Sequence, residues 1–324
     1  MNLNARKQLR GWTMNTMEPK VTIILLNWNG LDDTLECLHS LENLEYSNYE
    51  ILLIDNGSRD GSPESIQEAY PCLNLILNDE NAGFTRGNNM GMKWALESGS
   101  DFVLMLNNDT VVKADFLRLL VDAAVSNKNA GVLAPVIYDY GTVDSVQSAG
   151  GRLNWSRGLD ANELEVEGNN DGVSDMDYAS GCALMIDCRL LEEIGMLDEG
   201  YFAYWEETDL CTRAKKAGKR VLVVHDSKIW HKGQASSGNV KGLYQYYLTR
   251  NRFWFMKKHA SDKDRLLFLL YFFGFDFYHR ASIHVFKQKD LGILRYYLWG
   301  VLDGLLGSDR SQSLLFPPPG QVKR

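Results

Sequence analysis

Four clusters of polar residues in this 324-residue chain have the types and spacing that chemistry requires. Tyr204-Trp205-Glu206-Glu207-Thr208-Asp209 sets three carboxylates at the start of an expected helix, beside two aromatic rings. The helix dipole favours acids there, and Asp209 can pair with Arg213 one turn on. That structural reading accounts for Asp209 but does not demand two adjacent glutamates beside aromatic rings, so Glu206 and Glu207 are candidate general bases. Leu106-Asn107-Asn108-Asp109-Thr110 gathers the oxygen donors a hard divalent cation takes when it bridges a diphosphate. One carboxylate and two amides make a weak site by themselves. Asp55, followed by Asn56-Gly57-Ser58-Arg59-Asp60-Gly61-Ser62, suits hydrogen bonding to a base or ribose. It would equally shape turns and, with Asp60, cap the next helix. His231, in Ile229-Trp230-His231-Lys232, reads either as a ligand or as a satisfied structural histidine.

Some chemistries are excluded by spacing. In Asn81-Ala82-Gly83-Phe84-Thr85-Arg86-Gly87-Asn88-Asn89-Met90-Gly91 the glycines recur every four residues, not as GxGxxG, and no GxxxxGK[ST] loop occurs. An NAD enzyme and a P-loop NTPase are thereby disfavoured. A nucleotidyltransferase lacks its Gly-rich GxGTR-type opening. Five cysteines without a CxxC pair read as free thiols in a reducing compartment.

The elements that must position these clusters follow from periodicity. Val21–Asn27, Glu50–Asp55, Leu73–Asn78 and Phe102–Leu106 are short apolar runs expected as strands buried on both faces. Leu31, Leu35, Leu38 and Leu41 mark an amphipathic helix between the first two, and further helices fit 62–69, 86–97 and 115–126. This alternation predicts an α/β fold: a doubly wound, mainly parallel sheet whose ligands bind beyond the carboxyl ends of the strands. A Gly/Asn/Asp-rich stretch over 139–178 is expected as an irregular insertion with hairpin pieces near the cleft. Beyond it come helices near 189–194 and 208–217, a strand over 220–225, and a helical region to near Leu306.

A net charge of −8 conceals a split: residues 241–324 carry 14 Lys+Arg against 6 Asp+Glu, and the rest of the chain 20 against 36. The basic tail is interleaved with long apolar stretches, which argues against nucleic acid as a partner. Its most apolar run, Leu266–Phe275, is too short for a span of roughly 20 residues and is expected to be buried or interfacial. Residues 1–19 lack the apolar core of a secretory signal and read as a flexible leader.

Taken in order, Asn27-Trp28-Asn29-Gly30, the 54–62 and 81–91 segments, 106–110, 204–218, 229–238 and 246–259 resemble the inverting family-2 glycosyltransferases of GT-A fold, notably their rhamnosyltransferase-like bacterial branch. The resemblance covers about residues 20–260. It implies a catalytic domain over 20–240, with a nucleotide-sugar half to about 110 and an acceptor half beyond, and a helical appendage over 241–324. It implies that Asp55, Asn27 and Asn29 line the nucleobase pocket, that Asn81, Gly83, Arg86 and Asn107 lie near the base and diphosphate, and that Asp109 and His231 approach Mg²⁺ or Mn²⁺. Glu207 falls where the family's base sits, with Glu206 and Asp209 as the alternatives.

Two departures stand out. Asn107 replaces the first acid of the family's DxD element, and the base is Glu rather than Asp. The implied reaction is inverting transfer of one sugar from a nucleotide-diphosphate sugar, dTDP-rhamnose favoured, to a glycan or lipid-linked acceptor in cell-surface polysaccharide synthesis. UDP-hexose or UDP-galactofuranose donors, and a non-catalytic glycan-binding role, are the alternatives. A QxxRW element is missing, since no Trp follows Gln245 and Arg250 at that spacing, which points away from processive synthases. A cytoplasmic location is expected, with the tail resting on the inner face of the cytoplasmic membrane or packing on the catalytic domain or a second subunit as a homodimer.

Overall fold

The computed structural model describes residues 18–165, 172–233 and 241–310. The expected leader up to residue 17, the end of the 229–238 segment and the Pro-rich terminus lie outside the described residues. The front of the chain alternates as expected: β1 (Val21–Asn27), α1 (Leu31–Leu41), β2 (Tyr49–Asp55), α2 (Ser62–Ala69), β3 (Asn74–Leu77), α3 (Gly83–Glu97) and β4 (Phe102–Asn107). Then come β5 (Thr110–Val112), α4 (Phe116–Ser126), β6 (Ala130–Asp139), β7 (Val146–Ser148), β8 (Gly151–Asn154), β9 (Leu159–Asn162), β10 (Val173–Asp175) and β11 (Ala183–Asp187). α5 (Cys188–Ile194), α6 (Glu206–Lys216) and β12 (Arg220–His231) complete the sheet region.

One sheet runs in the order β10-β12-β6-β11-β4-β1-β2-β3. β3, β2, β1 and β4 are parallel, as are β6 and β12, while β11 runs antiparallel between the two blocks. Strand residues alternate between two cores. Ile23, Leu25 and Leu104 pack with α1, α2 and α4, whereas Ile24, Val103 and Met105 pack with α3, α5 and α6. That double burial is why these strands read as continuous apolar runs.

Two expectations shift. β12 does not stop at His225: a bulge between Val224 and Lys228 lets it continue to His231, so the histidine is a strand residue. The expected loose insertion contributes β7 and β10 to the sheet edges and a separate β8–β9 hairpin.

The remainder is helical: α7 (Lys241–His259), α8 (Asp262–Tyr271), α9 (Phe277–Ser282) and α10 (Leu291–Leu306), with π-helical turns at Phe272–Asp276 and Ile283–Lys287. α10 lies directly on α7. A Cβ at Gly300 would stand 2.7 Å from the Tyr246 carbonyl oxygen, so this approach needs glycine. Phe253, Phe255, Phe268, Phe272 and Tyr297 form a third core with Tyr201 and Trp205. Among the described residues no helix is long and apolar enough to cross a membrane.

Candidate active site

Register assembles the site. Asn27 is paired with Asp55 across β1–β2, Leu26 with Asn107 across β1–β4, and His231 with Thr110 across β12–β5. The carboxyl ends of β1, β2, β4 and β12 therefore meet at one edge of the sheet, with Asn108 and Asp109 in the tight β4–β5 connection.

The β1–β2 end is a closed hydrogen-bond network. Asn27 Nδ2 donates to Asp55 Oδ2 at 2.7 Å, and Ser58 donates to both Asp55 oxygens through its amide and hydroxyl. Asn27 Oδ1 accepts from Thr34, Gly30 and Asn108. Asn29, exposed and left-handed at φ 52°, accepts from the Arg59 amide at 2.8 Å and ties the β1 end to the turn after β2. Asp55 thus shapes its own turn, as the structural reading anticipates. Asn56 extends the network by donating to Asn81 Oδ1 and the Gly83 carbonyl and accepting from Asn78. Gly83 is left-handed (φ 84°), and a Cβ there would strike the Phe202 ring at 2.6 Å. Arg86 is exposed on the first turn of α3.

The LNNDT run divides by direction. Asn108 is buried and donates to Thr34 at 2.8 Å, so it is a rivet between β4 and α1. Asn107 and Asp109 both reach His231: Asn107 Nδ2 lies 3.4 Å and Asp109 Oδ1 3.1 Å from its Nε2. His231 Nδ1 donates to Gln147 Oε1 at 2.7 Å, and Gln147 in turn donates to Asp139. With Nδ1 held by Gln147, the ring turns its Nε2 toward the Asp109 carboxylate oxygen. Two such groups facing at that distance fit a cation or a proton between them. Among the described residues no group of three or more His, Cys, Asp or Glu surrounds a common point, so this is a partial ligand set that suits a metal completed by phosphate and water.

The carboxylates occupy the opposite wall. Glu206 is buried, and its Oε2 has no hydrogen-bond partner. Burial first, then the charge of Glu207 and a hydrogen bond shared with it, raise the Glu206 carboxyl well above the ordinary range. Half-buried Glu207 stands beside it on the cleft lining. Asp209 is turned away from the cleft. Its fully buried carboxylate meets Arg213 at 2.7 Å, Lys258 at 2.7 Å and His259 at 2.7 Å. Burial pushes that carboxyl up, but His259, Lys258 and Arg213 together hold it well below the usual range. Asp209 is an anchor between α6 and α7.

A cleft of about 460 Å³ opens between these walls. It collects Asn81, Gly83, Asn107, Asp109, His231, Glu206 and Glu207, whereas Asn27, Asn29, Asp55, Arg86 and Asp209 stand outside its lining. Besides Tyr204, noted from its place beside the glutamates, and Trp28 of the first motif, it presents aromatic side chains not expected there from sequence: Phe202, Tyr244 and Tyr247. Phe202 stacks on Tyr247 at 5.0 Å and Tyr204 meets Tyr244 edge-on at 5.0 Å. The signal for them was the density of aromatics in the 201–205 and 244–247 runs, which their sequence separation hid.

A block of four parallel strands, an antiparallel strand beside it and acidic groups at the strand ends are the pattern of a glycosyltransferase of GT-A type. The family described as Glycosyl transferase family 2 matches residues 22–195, more than half of the chain, and the protein belongs to that family. It is 22% identical over 299 residues to the dTDP-rhamnosyl transferase RfbF of Shigella flexneri, covering 90% of this chain and 97% of that one. It is 28% identical over 208 residues to the N-acetylglucosaminyl-diphospho-decaprenol L-rhamnosyltransferase of Mycobacterium tuberculosis, covering 58% and 68% of the two chains. Among solved structures, the Pyrobaculum calidifontis mannosyltransferase PcManGT in complex with GDP-Man and Mn²⁺ superposes with TM-score 0.53 at 16% identity, over 96% of this chain and 84% of that one.

Proposed function

We propose that the protein is an inverting rhamnosyltransferase, moving one rhamnose from dTDP-rhamnose to a hydroxyl of a glycan or lipid-linked acceptor in cell-surface polysaccharide synthesis. The observation that carries this reading is one cleft with an Asp109–His231 pair on one wall and the adjacent carboxyl groups of Glu206 and Glu207 on the other. Both rhamnosyl relatives support the donor. In this reading Glu207 accepts the proton of the acceptor hydroxyl as its oxygen attacks the anomeric carbon. The bond to the diphosphate breaks with its electron pair on the departing oxygen, and single displacement inverts the carbon. Asp109 and His231 would hold Mg²⁺ or Mn²⁺, which when bound supplies positive charge against the leaving diphosphate. Asn27, Asn29, Asp55, Asn81, Gly83, Arg86 and Asn107 form the nucleotide side in this proposal.

Thermal shift and nucleotide release across dTDP-rhamnose, UDP-hexoses and UDP-galactofuranose, with and without Mn²⁺, test it. dTDP-rhamnose with Mn²⁺ should stabilise most and release dTDP when acceptor is present. A larger response to a UDP-sugar would move the donor assignment, and no response to any donor would leave only a binding role.

The reading extends to the inner face of the cytoplasmic membrane. Among the described residues, twelve of nineteen exposed large hydrophobic side chains lie between Leu266 and Leu306. In α10, Leu291, Leu298, Leu302 and Leu305 fall on one stripe, and Lys263, Lys287, Lys289 and Arg295 are exposed on the same helical region. An apolar and cationic surface beside an acidic body suits anionic lipid. Sedimentation with anionic vesicles should exceed that with zwitterionic vesicles and fall with salt. Absence of binding together with a dimer in solution would instead assign this face to a second copy.

A further inference from the structure

The loop before the glutamates is held in a costly conformation. Phe202, Tyr204 and Trp205 all have left-handed backbones (φ 65°, 67° and 76°), a region that bulky side chains avoid. The groups that hold it come from α7. Asn251, fully buried, directs its Nδ2 at three carbonyl oxygens of this loop: Tyr201 at 3.0 Å, Ala203 at 2.8 Å and Tyr204 at 2.8 Å. Its neighbour fixes which way the amide faces, because Arg250 Nε donates to Asn251 Oδ1 at 2.8 Å. Arg250 is itself fully buried, lies over the Trp254 ring at 4.2 Å, pairs with Asp309, and donates through Nη2 to the Gly200 and Tyr201 carbonyls.

The same loop touches both sides of the cleft. The Phe202 carbonyl accepts from the Thr85 amide at the start of α3, and the Phe202 ring lies against Gly83. Tyr204 reaches the aromatic face of α7, and the chain enters α6 at Glu206 immediately afterwards. The amide has two hydrogens for these three converging carbonyl oxygens, so one hydrogen is shared between two of them, and an acceptor in its place would face all three.

We propose that Asn251, locked by Arg250, is a positioning residue for sugar transfer: its carboxamide holds the 201–204 loop in the left-handed form that sets Tyr204 and the Glu206–Glu207 pair against the acceptor. The inference rests on the transferase reading above and assigns a working part of its site to the C-terminal helical region. It acts through the loop and touches no reacting atom.

Asn251→Asp tests it, since the shape is kept while the amide donor becomes an oxygen facing three others. Hydrogen exchange at amides 201–207 should quicken by about tenfold or more, with the β1 and β4 amides unchanged. Acceptor-dependent kcat should fall on the order of a hundredfold, with donor KM within about twofold of wild type. Arg250→Lys, which keeps the charge but loses the fork, should move both quantities the same way by less, and it serves where the aspartate variant does not fold. Unchanged exchange in the loop overturns the clamp. Quickened exchange with unchanged kcat overturns the positioning role. If wild-type protein transfers no sugar from any nucleotide donor, the functional reading fails, while the exchange measurement still decides the clamp.

Discussion

The strand-end wall of the cleft and the loop wall facing it reach order by different routes. On the strand-end wall, Asn27, Asp55, Asn56 and Asn108 are buried and bonded to one another or to the adjoining turns. The elements that supply these residues, the ends of β1, β2 and β4, are neighbouring parallel strands of the front of the chain, and their register brings the residues together. On the loop wall, three non-glycine residues are left-handed, a glutamate oxygen is buried without a partner, and the fixing hydrogen bonds come from a helix that begins only at Lys241. Local sequence can specify the first wall. The second stands only once the C-terminal helices are docked, which couples that region to the chemistry through packing rather than through contact with substrate.

The comparison breaks hardest at Glu207. Glu207→Gln keeps the size of the side chain and removes its basicity, so kcat should drop by about a thousandfold. Nucleotide affinity, which belongs to the other wall, should stay within about twofold by calorimetry. Near-normal turnover in this variant would move the base to Glu206, whose burial argues against it.

Next in size is the anchor that ties α6 to α7. Asp209→Asn leaves Arg213, Lys258 and His259 facing a neutral group, and breaking a buried pair of this kind costs about 3 kcal/mol. Because the folded carboxyl lies well below its unfolded value, its stabilisation is complete above the ordinary aspartate range near pH 4 and is lost as pH falls below it. Urea unfolding should therefore separate wild type from the variant more widely at pH 7 than at pH 3. An equal gap at both would remove the electrostatic account.

On the strand-end wall the largest effect is expected at Asp109. Asp109→Ala should weaken Mn²⁺-dependent donor binding on the order of a hundredfold and leave metal-free nucleotide binding nearly unchanged. Equal calorimetric affinities with and without Mn²⁺ in the wild type would sink the metal role.

These differences also explain how much the sequence made legible. Apart from the short β5, the strands and helices of the first 126 residues are legible because continuous apolar runs mark the strands and a helical period marks the helices. β12 was cut short because Asp226 and Ser227 break the apolar run where the strand bulges; nothing local says that pairing resumes at Lys228. Asp55 and Asn108 were readable as polar strand-end residues, but only the coordinates separate rivets from cleft groups. Asn251 was the least legible. Arg250-Asn251-Arg252 is a run of polar residues with no local sign of burial, yet all three are buried, each bonded to partners distant in sequence.

The smallest predicted effect sharpens the comparison at the one corner of the strand-end wall that local sequence does not complete. Gln147 comes from β7, an edge strand within the irregular insertion, and its amide stands between His231 Nδ1 and Asp139. It accepts from Nδ1 and so keeps Nε2 turned toward Asp109. Gln147→Leu preserves bulk but removes the acceptor, freeing the imidazole to place its proton on either nitrogen. Mn²⁺-dependent donor affinity should fall by about tenfold, the low end for loss of an outer partner to a metal-binding histidine. Gln147→Glu, which still accepts from Nδ1, should recover most of it. If both variants bind donor as the wild type does, His231 serves the strand rather than the metal, and Asp109 is left as the sole protein ligand of this corner.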